Sequence, residues 1–210
     1  MKRNFGYLFF ILFFILFTGC HRGGGDSGVG SSDVGTGTGD SGAGSGADTS
    51  VVDSDSTITK VKIVSPDTVT YPVEFSVNIE IVNAVNTAGL YFRLKYDSNI
   101  VQLKNKNNLA SSVKEGTFFN QGGVATSLGI GFIDQDPDSG CLLVGLSRSR
   151  ENPGISGSGT VMTFTFITVN KGSTSIIFSE IAEENSLFAP ETPLESITGV
   201  LWKNAEITVK

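Results

Sequence analysis

The second half of the chain alternates apolar and polar residues. Over residues 73–81, Val, Phe, Val, Ile and Ile occupy every second position, with Glu, Ser, Asn and Glu between them. The same alternation recurs over 90–96, 162–166 and 174–178. Because successive side chains of a β-strand point to opposite faces of a sheet, each of these runs predicts a strand with one buried face.

Shorter runs of the same kind extend the prediction to about nine strands between residues 57 and 210. Turn-forming Pro, Gly, Asn and Asp residues separate them, and a helical pattern is visible only around 107–114 and 180–187. Many short strands at this spacing favour an all-β fold, an antiparallel β-sandwich. The additional predicted strands lie near 60–64, 99–104, 125–133, 141–148 and 200–209.

The beginning of the chain has a different character. Lys2 and Arg3 precede an apolar run over 5–17, which ends at Thr18-Gly19-Cys20. As a helix the run is about 20 Å long, too short for a hydrocarbon core of about 30 Å, and it is typical of a secretory signal.

The order of these features resembles the bacterial lipoprotein signal. The resemblance implies that residues 1–19 are removed and that Cys20 carries the lipid, which anchors the chain to a membrane. His21 follows Cys20, and in Gram-negative lipoproteins this favours export to the outer membrane. The expected location is therefore the cell envelope. An ordinary signal peptide cut nearby, or a buried apolar helix, is the alternative interpretation.

Residues 20–56 form the second part of the chain, between the signal and the domain. Eleven of the 24 residues over 23–46 are glycine, and aspartates recur with no basic residue between Arg22 and Lys60. Such a stretch buries too little apolar surface to offset the entropy of ordering it. It predicts a disordered tether with a mean end-to-end distance of about 30–35 Å.

Composition excludes several functions. Acidic residues outnumber Lys and Arg by 21 to 15, so we expect no nucleic-acid partner. The single histidine, His21, leaves a folded domain without the usual base of a Ser-His-Asp or Cys-His site. Once Cys20 is lipidated, Cys141 has no partner for a disulfide and is expected to be a structural thiol. We therefore expect a protein that is not an enzyme.

Two segments of the domain carry recognisable motifs. Residues 88–97 form an alternating strand that ends in Tyr96-Asp97, and 100–103 supply the next hydrophobic pair. Residues 157–166 combine glycines with a Phe-bearing alternating run. The first segment resembles a strand of cohesin modules, and the second resembles the glycine-rich turn and Phe-bearing strand of the same family. The resemblance spans about 57–210 and implies a nine-stranded jelly-roll sandwich. Its implied partner is a protein that carries a dockerin, a small calcium-loaded helical module.

In that family the partner is bound by the sheet that includes the third, fifth, sixth and eighth strands. If Leu90, Phe92 and Leu94 point inward, the residues between them point out. We expect a rim of exposed Arg93 and Lys95 around an apolar centre. The predicted partner-binding residues are Tyr91, Arg93, Lys95, Ser127, Leu143, Ser147, Thr163 and Thr165, with Gly129 beside them.

Two other functions stay open at this stage. Carbohydrate-binding modules share the sandwich fold, so the chain can also be a polysaccharide-binding lipoprotein, with Trp202 as the exposed stacking residue. A structural envelope protein without a dedicated ligand is the remaining alternative.

One acidic segment has the chemistry of a calcium site. Asp134, Asp136 and Asp138 are three carboxylates at alternate positions, and hard cations such as Ca²⁺ prefer oxygen ligands. An EF-hand loop would have glycine directly after the third acid and glutamate at its end, where this chain has Ser139 and Gly145. The alternative is a solvated acidic turn. No cofactor is required by either interpretation.

Replacing Cys20 with Ser should move the protein from the membrane to the soluble fraction, because the acyl chains on Cys20 are the proposed anchor. The measurement is immunoblotting of membrane and soluble fractions from cells that express the full chain. A Cys20→Ser variant that stays in the pellet after a high-salt wash would contradict lipid anchoring.

Overall fold

A computed structural model describes residues 57–136, 138–149, 151–191 and 195–210, except for the side chain of Asp134. The predicted signal, Cys20 and the tether lie outside these residues. Fourteen strands are present in the described part of the chain: β1 (Lys60–Val64), β2 (Thr68–Val69), β3 (Glu74–Thr87), β4 (Gly89–Lys95), β5 (Val101–Leu103), β6 (Val113–Glu115), β7 (Thr126–Phe132), β8 (Cys141–Arg148), β9 (Ile155–Thr168), β10 (Gly172–Phe178), β11 (Ser186–Phe188), β12 (Ser196–Ile197), β13 (Leu201–Lys203) and β14 (Ala205–Val209).

The strands form two sheets. The first sheet has the order β13-β1-β3-β9, and both β5 and β6 pair with the far edge of β9. In the second sheet β7, β8 and β4 are neighbours, and the other edge of β4 pairs with β10 at one end and β11 at the other. Beyond these, β14 and β2 follow β10, while β12 follows β11. The predicted β-sandwich is confirmed.

The core lies between the sheets and is rich in aromatic rings. Phe92 of β4 and Phe164 and Phe166 of β9 are fully buried. The ring of Phe166 lies 5.9 Å from that of Phe75 and 5.1 Å from that of Tyr96, which contacts it edge-on. Since Tyr96 follows β4 and Phe75 lies on β3, Phe166 joins the two sheets. Burial raises the pKa of the Tyr96 hydroxyl above its ordinary value.

Hydrogen bonds close the turn that follows β4. The carboxylate of Asp97 accepts a hydrogen bond from the backbone N–H of Asn99 at 2.9 Å, the local geometry that makes aspartate common in turns. Tyr96 donates its backbone N–H to the carbonyl of Gly140 at 2.9 Å. A Cβ at Gly140 would lie 2.2 Å from the Tyr96 carbonyl oxygen, and its φ is 63°, so this close approach requires glycine.

One local prediction is wrong and two are met only in part. Gly157 and Gly159 lie inside β9 and not in a turn, at places where the register between β3 and β9 shifts. The two segments with a helical pattern form only the short 3₁₀ turns Leu109–Ser111 and Ala182–Glu184. None of the helical segments in the described ranges is long and apolar enough to cross a bilayer.

Replacing Phe166 with Ala should lower the free energy of unfolding by about 3–5 kcal/mol, because the ring touches both sheets and leaves a cavity when removed. The matched control is Thr165→Ala, the neighbouring residue on the outward face of β9, which should cost about 1 kcal/mol or less. Urea unfolding of residues 57–210 measures both. Equal losses for the two variants would contradict this description of the core.

Candidate protein-docking face

The second sheet turns one face away from the core. Residues directly opposite each other on neighbouring strands lie on the same face, so pairing across β7, β8 and β4 defines the outward set. This outer face carries three rows of opposed residues: Ser127, Ser147 and Gly89; Gly129, Gly145 and Tyr91; and Gly131, Leu143 and Arg93.

Six of the eight predicted partner-binding residues belong to this face of the second sheet. Lys95 extends the set at the far end of β4, opposite Cys141. Thr163 and Thr165 do not belong to it, because they lie on β9 in the first sheet, opposite Asn78 and Ser76 of β3. Their prediction as neighbours of Tyr91 is therefore wrong: alternation fixes which way a side chain points within a strand, but not which sheet the strand joins.

Arg93 points outward as predicted but is not exposed. Its guanidinium forms an ion pair with Glu184 at 2.6 Å, and the two side chains are only 3% and 5% exposed. The expectation that Arg93 belongs to a solvent-exposed rim is wrong, because a segment from much later in the sequence lies over it. We call this segment, residues 179–185, the cover.

The cover is attached to β4 by hydrogen bonds as well as charge. Ser179 donates its backbone N–H to the carbonyl of Arg93 at 2.9 Å, and Arg93 donates its own to Oδ1 of Asn185 at 3.2 Å. Within the cover, the Asn185 side chain donates to the Ser179 carbonyl at 2.6 Å, and the Ser179 hydroxyl donates to the Glu184 carboxylate. These polar groups satisfy one another where water is excluded.

Tyr91 stands at the border between the cover and the rest of the outer face. Its hydroxyl donates a hydrogen bond to the backbone carbonyl of Glu183, and its ring stacks on Phe188 with centroids 5.5 Å apart. Burial, and then the negative charges of Glu183 and Glu184, raise the pKa of the Tyr91 hydroxyl. Tyr91 is half-exposed and is held in one orientation by these contacts.

The other half of the outer face is open and nearly flat. Gly131 and Gly145 are half-exposed, and a Cβ added to either would meet nothing within 4 Å. Ser127 is exposed and Leu143 is half-exposed beside them. We call this surface of Ser127, Gly129, Gly131, Leu143 and Gly145 the glycine face. Apart from the leucine it presents backbone and a small serine side chain, which suit contact with a flat complementary surface better than enclosure of a small molecule.

Trp202 does not form an exposed sugar platform. It lies on β13 in the first sheet, where it is half-buried opposite Val61. Its ring packs edge-on against buried Phe178, with centroids 4.8 Å apart. Trp202 is therefore half-buried where an exposed residue was predicted, and its role in stacking on a sugar stays a prediction.

The acidic turn uses its described carboxylates for other contacts. Oδ1 of Asp136 accepts the backbone N–H of Asp138 at 2.9 Å, and the carboxylate of Asp138 pairs with the Lys106 ammonium. Among the residues whose side chains are described, no three acids, cysteines or histidines are grouped to hold a metal ion. Because the side chain of Asp134 lies outside that description, the calcium site stays a prediction.

Comparison with known proteins supports this fold. No family model matches the sequence, and no curated protein matches it. Solved structures do match. A type II cohesin from Acetivibrio cellulolyticus, in complex with an X-dockerin module, aligns with a TM-score of 0.58 at 18% identity over 72% of this chain and 99% of that one.

Two further structures from other organisms give the same result. The type II cohesin A11 of Bacteroides cellulosolvens aligns with a TM-score of 0.57 at 15% identity, over 72% of this chain and 99% of that one. A non-cellulosomal cohesin of Archaeoglobus fulgidus aligns with a TM-score of 0.54 at 15% identity, over 73% and 91%. The domain therefore has the fold of a cohesin module.

Removing the charge of either partner of the buried ion pair should be costly, because the other charge is then buried without compensation. We expect Arg93→Met and Glu184→Gln each to lower the free energy of unfolding by about 3–5 kcal/mol. The double variant should lose less than the sum. Denaturant unfolding of residues 57–210 measures these values.

The matched control is Lys95→Met, which removes a half-exposed charge from the same face of the same strand. It should change stability by about 0.5 kcal/mol or less. If Arg93→Met cost no more than Lys95→Met, Arg93 would be exposed in solution and the cover would not be attached as described.

Proposed function

We propose that this chain is a membrane-anchored, non-catalytic binding module that recognises a protein partner through the glycine face. The observation that carries the proposal is the combination of a cohesin-like sandwich with a flat, open half of its second sheet. The cover closes the other half of that sheet, so binding is confined to β7, β8 and the Tyr91 border of β4.

The chemistry of the glycine face favours a protein partner. Leu143 and the half-exposed ring of Tyr91 flank surface without side chains at Gly145. A partner can approach this backbone closely, bury the apolar groups and gain hydrogen bonds around them, which is the usual composition of an interface centre. Since Tyr91 is already fixed by the cover, little conformational entropy is lost when it is contacted.

The proposed anchoring sets where the module operates. The lipid on Cys20 would fix the chain to the cell envelope, at the outer membrane in a Gram-negative cell, and the tether over 20–56 would give the domain reach. Fixing a module near a surface raises the effective concentration of any partner that is held there too. This part of the proposal depends on the sequence of the first 56 residues.

The neighbouring structures support a proposal for the kind of partner. One of them is a cohesin crystallised with an X-dockerin module, and we propose a dockerin-like partner here. Polysaccharide binding is less favoured, because Trp202 packs against Phe178 and the Tyr91 ring is occupied by Phe188. A structural envelope protein would bind neither class of ligand, so it is one outcome of the experiment below.

The test is capture of protein partners by purified residues 57–210 from an extract of the source cells, with calcium present and bound proteins identified by mass spectrometry. Leu143→Glu and Gly145→Arg place charge and bulk on the glycine face. Each should weaken binding of the captured partner by about 100-fold or more, as disruption of an interface centre does.

Thr163→Glu and Thr165→Glu are the matched controls, since they change positions on the opposite sheet that are also half-exposed. They should leave capture intact. Capture that ignored Leu143→Glu and Gly145→Arg, or that was lost in the Thr165→Glu variant, would contradict the proposed face. Saturable binding to insoluble cellulose or chitin without any protein partner would favour the polysaccharide function instead.

A further inference from the structure

The strand β7 lies at one end of the second sheet. β7 pairs with β8 on one side, and no strand among the described residues pairs with its other side. Within an antiparallel pair, the backbone groups of alternate residues point to the neighbour and those between them point away. β7 therefore carries a row of backbone donors and acceptors that face outward from the sheet.

The outward-pointing residues can be identified. Ser149 donates its backbone N–H to the carbonyl of Ala125 at 3.0 Å, so odd-numbered residues of β7 face β8. The regular register between the strands carries this parity along their whole length. The residues that direct N–H and C=O groups away from β8 are consequently Thr126, Leu128, Ile130 and Phe132.

This edge lacks the features that protect other edges. The terminal strands β2, β5, β6, β12 and β13 are each two or three residues long, while β7 has seven. No charged residue and no proline occurs from Gly116 to Ile133, and no bulge interrupts β7. Short length, charge, proline and bulges within the strand all hinder edge pairing, and none of them occurs within β7; the one carboxylate that contacts it is that of Glu115, which accepts a hydrogen bond from the Thr126 hydroxyl at the first residue of the strand.

The side chains of β7 are also incompletely buried. By register Leu128, Ile130 and Phe132 lie opposite Leu146, Val144 and Leu142, which belong to the core. Nevertheless none of the seven β7 residues is buried, and Leu128 is 36% exposed. A strand added at this edge would cover the apolar side chains and satisfy the outward backbone groups together.

From these observations we infer that β7 pairs antiparallel with β7 of a second copy of this chain, around a two-fold axis at Gly129. In that register Thr126 faces Phe132 of the other copy and Leu128 faces its Ile130. The backbone N–H and C=O groups of these four residues all point away from β8. About eight hydrogen bonds can therefore form between the two β7 strands. An uncharged strand meets no like-charge repulsion when it pairs with itself, and the two-fold gives both copies the same contacts.

This pairing leaves the glycine face accessible. A two-fold axis perpendicular to the continuous sheet places the outer faces of both copies on the same side. The dimer would present two identical glycine faces next to each other, which increases avidity for a partner with two matching sites. The dimer itself does not depend on the proposed function.

Disulfide trapping tests both the pairing and its register. Ser127 and Gly131 of opposite copies would form a non-hydrogen-bonded pair with Cα atoms about 4.5 Å apart, within the range that a disulfide bridges. Two Ser127 residues would be separated by about 14 Å along the strands. The experiment uses the full chain in the intact cells that express it, with Ser127→Cys and Gly131→Cys variants that carry different epitope tags and are co-expressed.

Oxidation should give a disulfide-linked, doubly tagged dimer in the mixture of variants, at least about ten times more than when either variant is expressed alone with both tags. The unsubstituted chain measures the background from Cys20 and from Cys141, which is buried. Product in the mixture at background level, or equal product from Ser127→Cys alone, would overturn the proposal.

A charge on the edge provides an independent control. Leu128→Lys, added to both cysteine variants, should reduce the linked dimer to background because it places two ammonium groups at the pairing edge. Ser175→Lys adds the same charge at an exposed position of β10 and should leave the product unchanged. If Leu128→Lys left the product unchanged, the disulfide would come from random collision and the proposed pairing would be wrong.

Discussion

The packing of inward side chains between two sheets is the interaction on which the rest of this molecule depends. Phe166 contacts rings from both sheets, and Phe92 and Phe164 are completely withdrawn from water. Each buried ring of this size contributes a few kcal/mol. Because strands alternate, the same packing obliges every second residue to point outward, and those residues are the ones available for binding.

A second, polar interaction determines which of the outward residues remain exposed. Arg93 and Glu184 are both withdrawn from water, which is unfavourable unless they remain paired and hydrogen-bonded. Their pairing holds the cover on β4 and divides the outer face into a closed half and an open half. The same contacts fix Tyr91 at the border. A buried ion pair therefore determines where the cover ends and the glycine face begins.

The sequence was sufficient for the fold class and for most strand positions, because hydrophobic alternation is a local signal. It predicted β1 over 60–64 and β8 over 141–148 with the observed bounds. It could not show that Thr163 lies on the other sheet, since sheet membership depends on pairing between distant strands. It also missed the cover, because Glu184 follows Arg93 by 91 residues and no periodic pattern links them.

Amide hydrogen exchange of residues 57–210, read residue by residue, tests most directly whether the outer face is divided in this way. The account predicts that the amides of Arg93, Ser179 and Glu184 exchange about as slowly as core amides such as that of Phe164, because the cover opens only when the domain unfolds. Exchange of these amides that is faster by orders of magnitude, while Phe164 stays protected, would show the cover detached in solution. Arg93 would then be exposed, and the docking face would extend over the whole sheet.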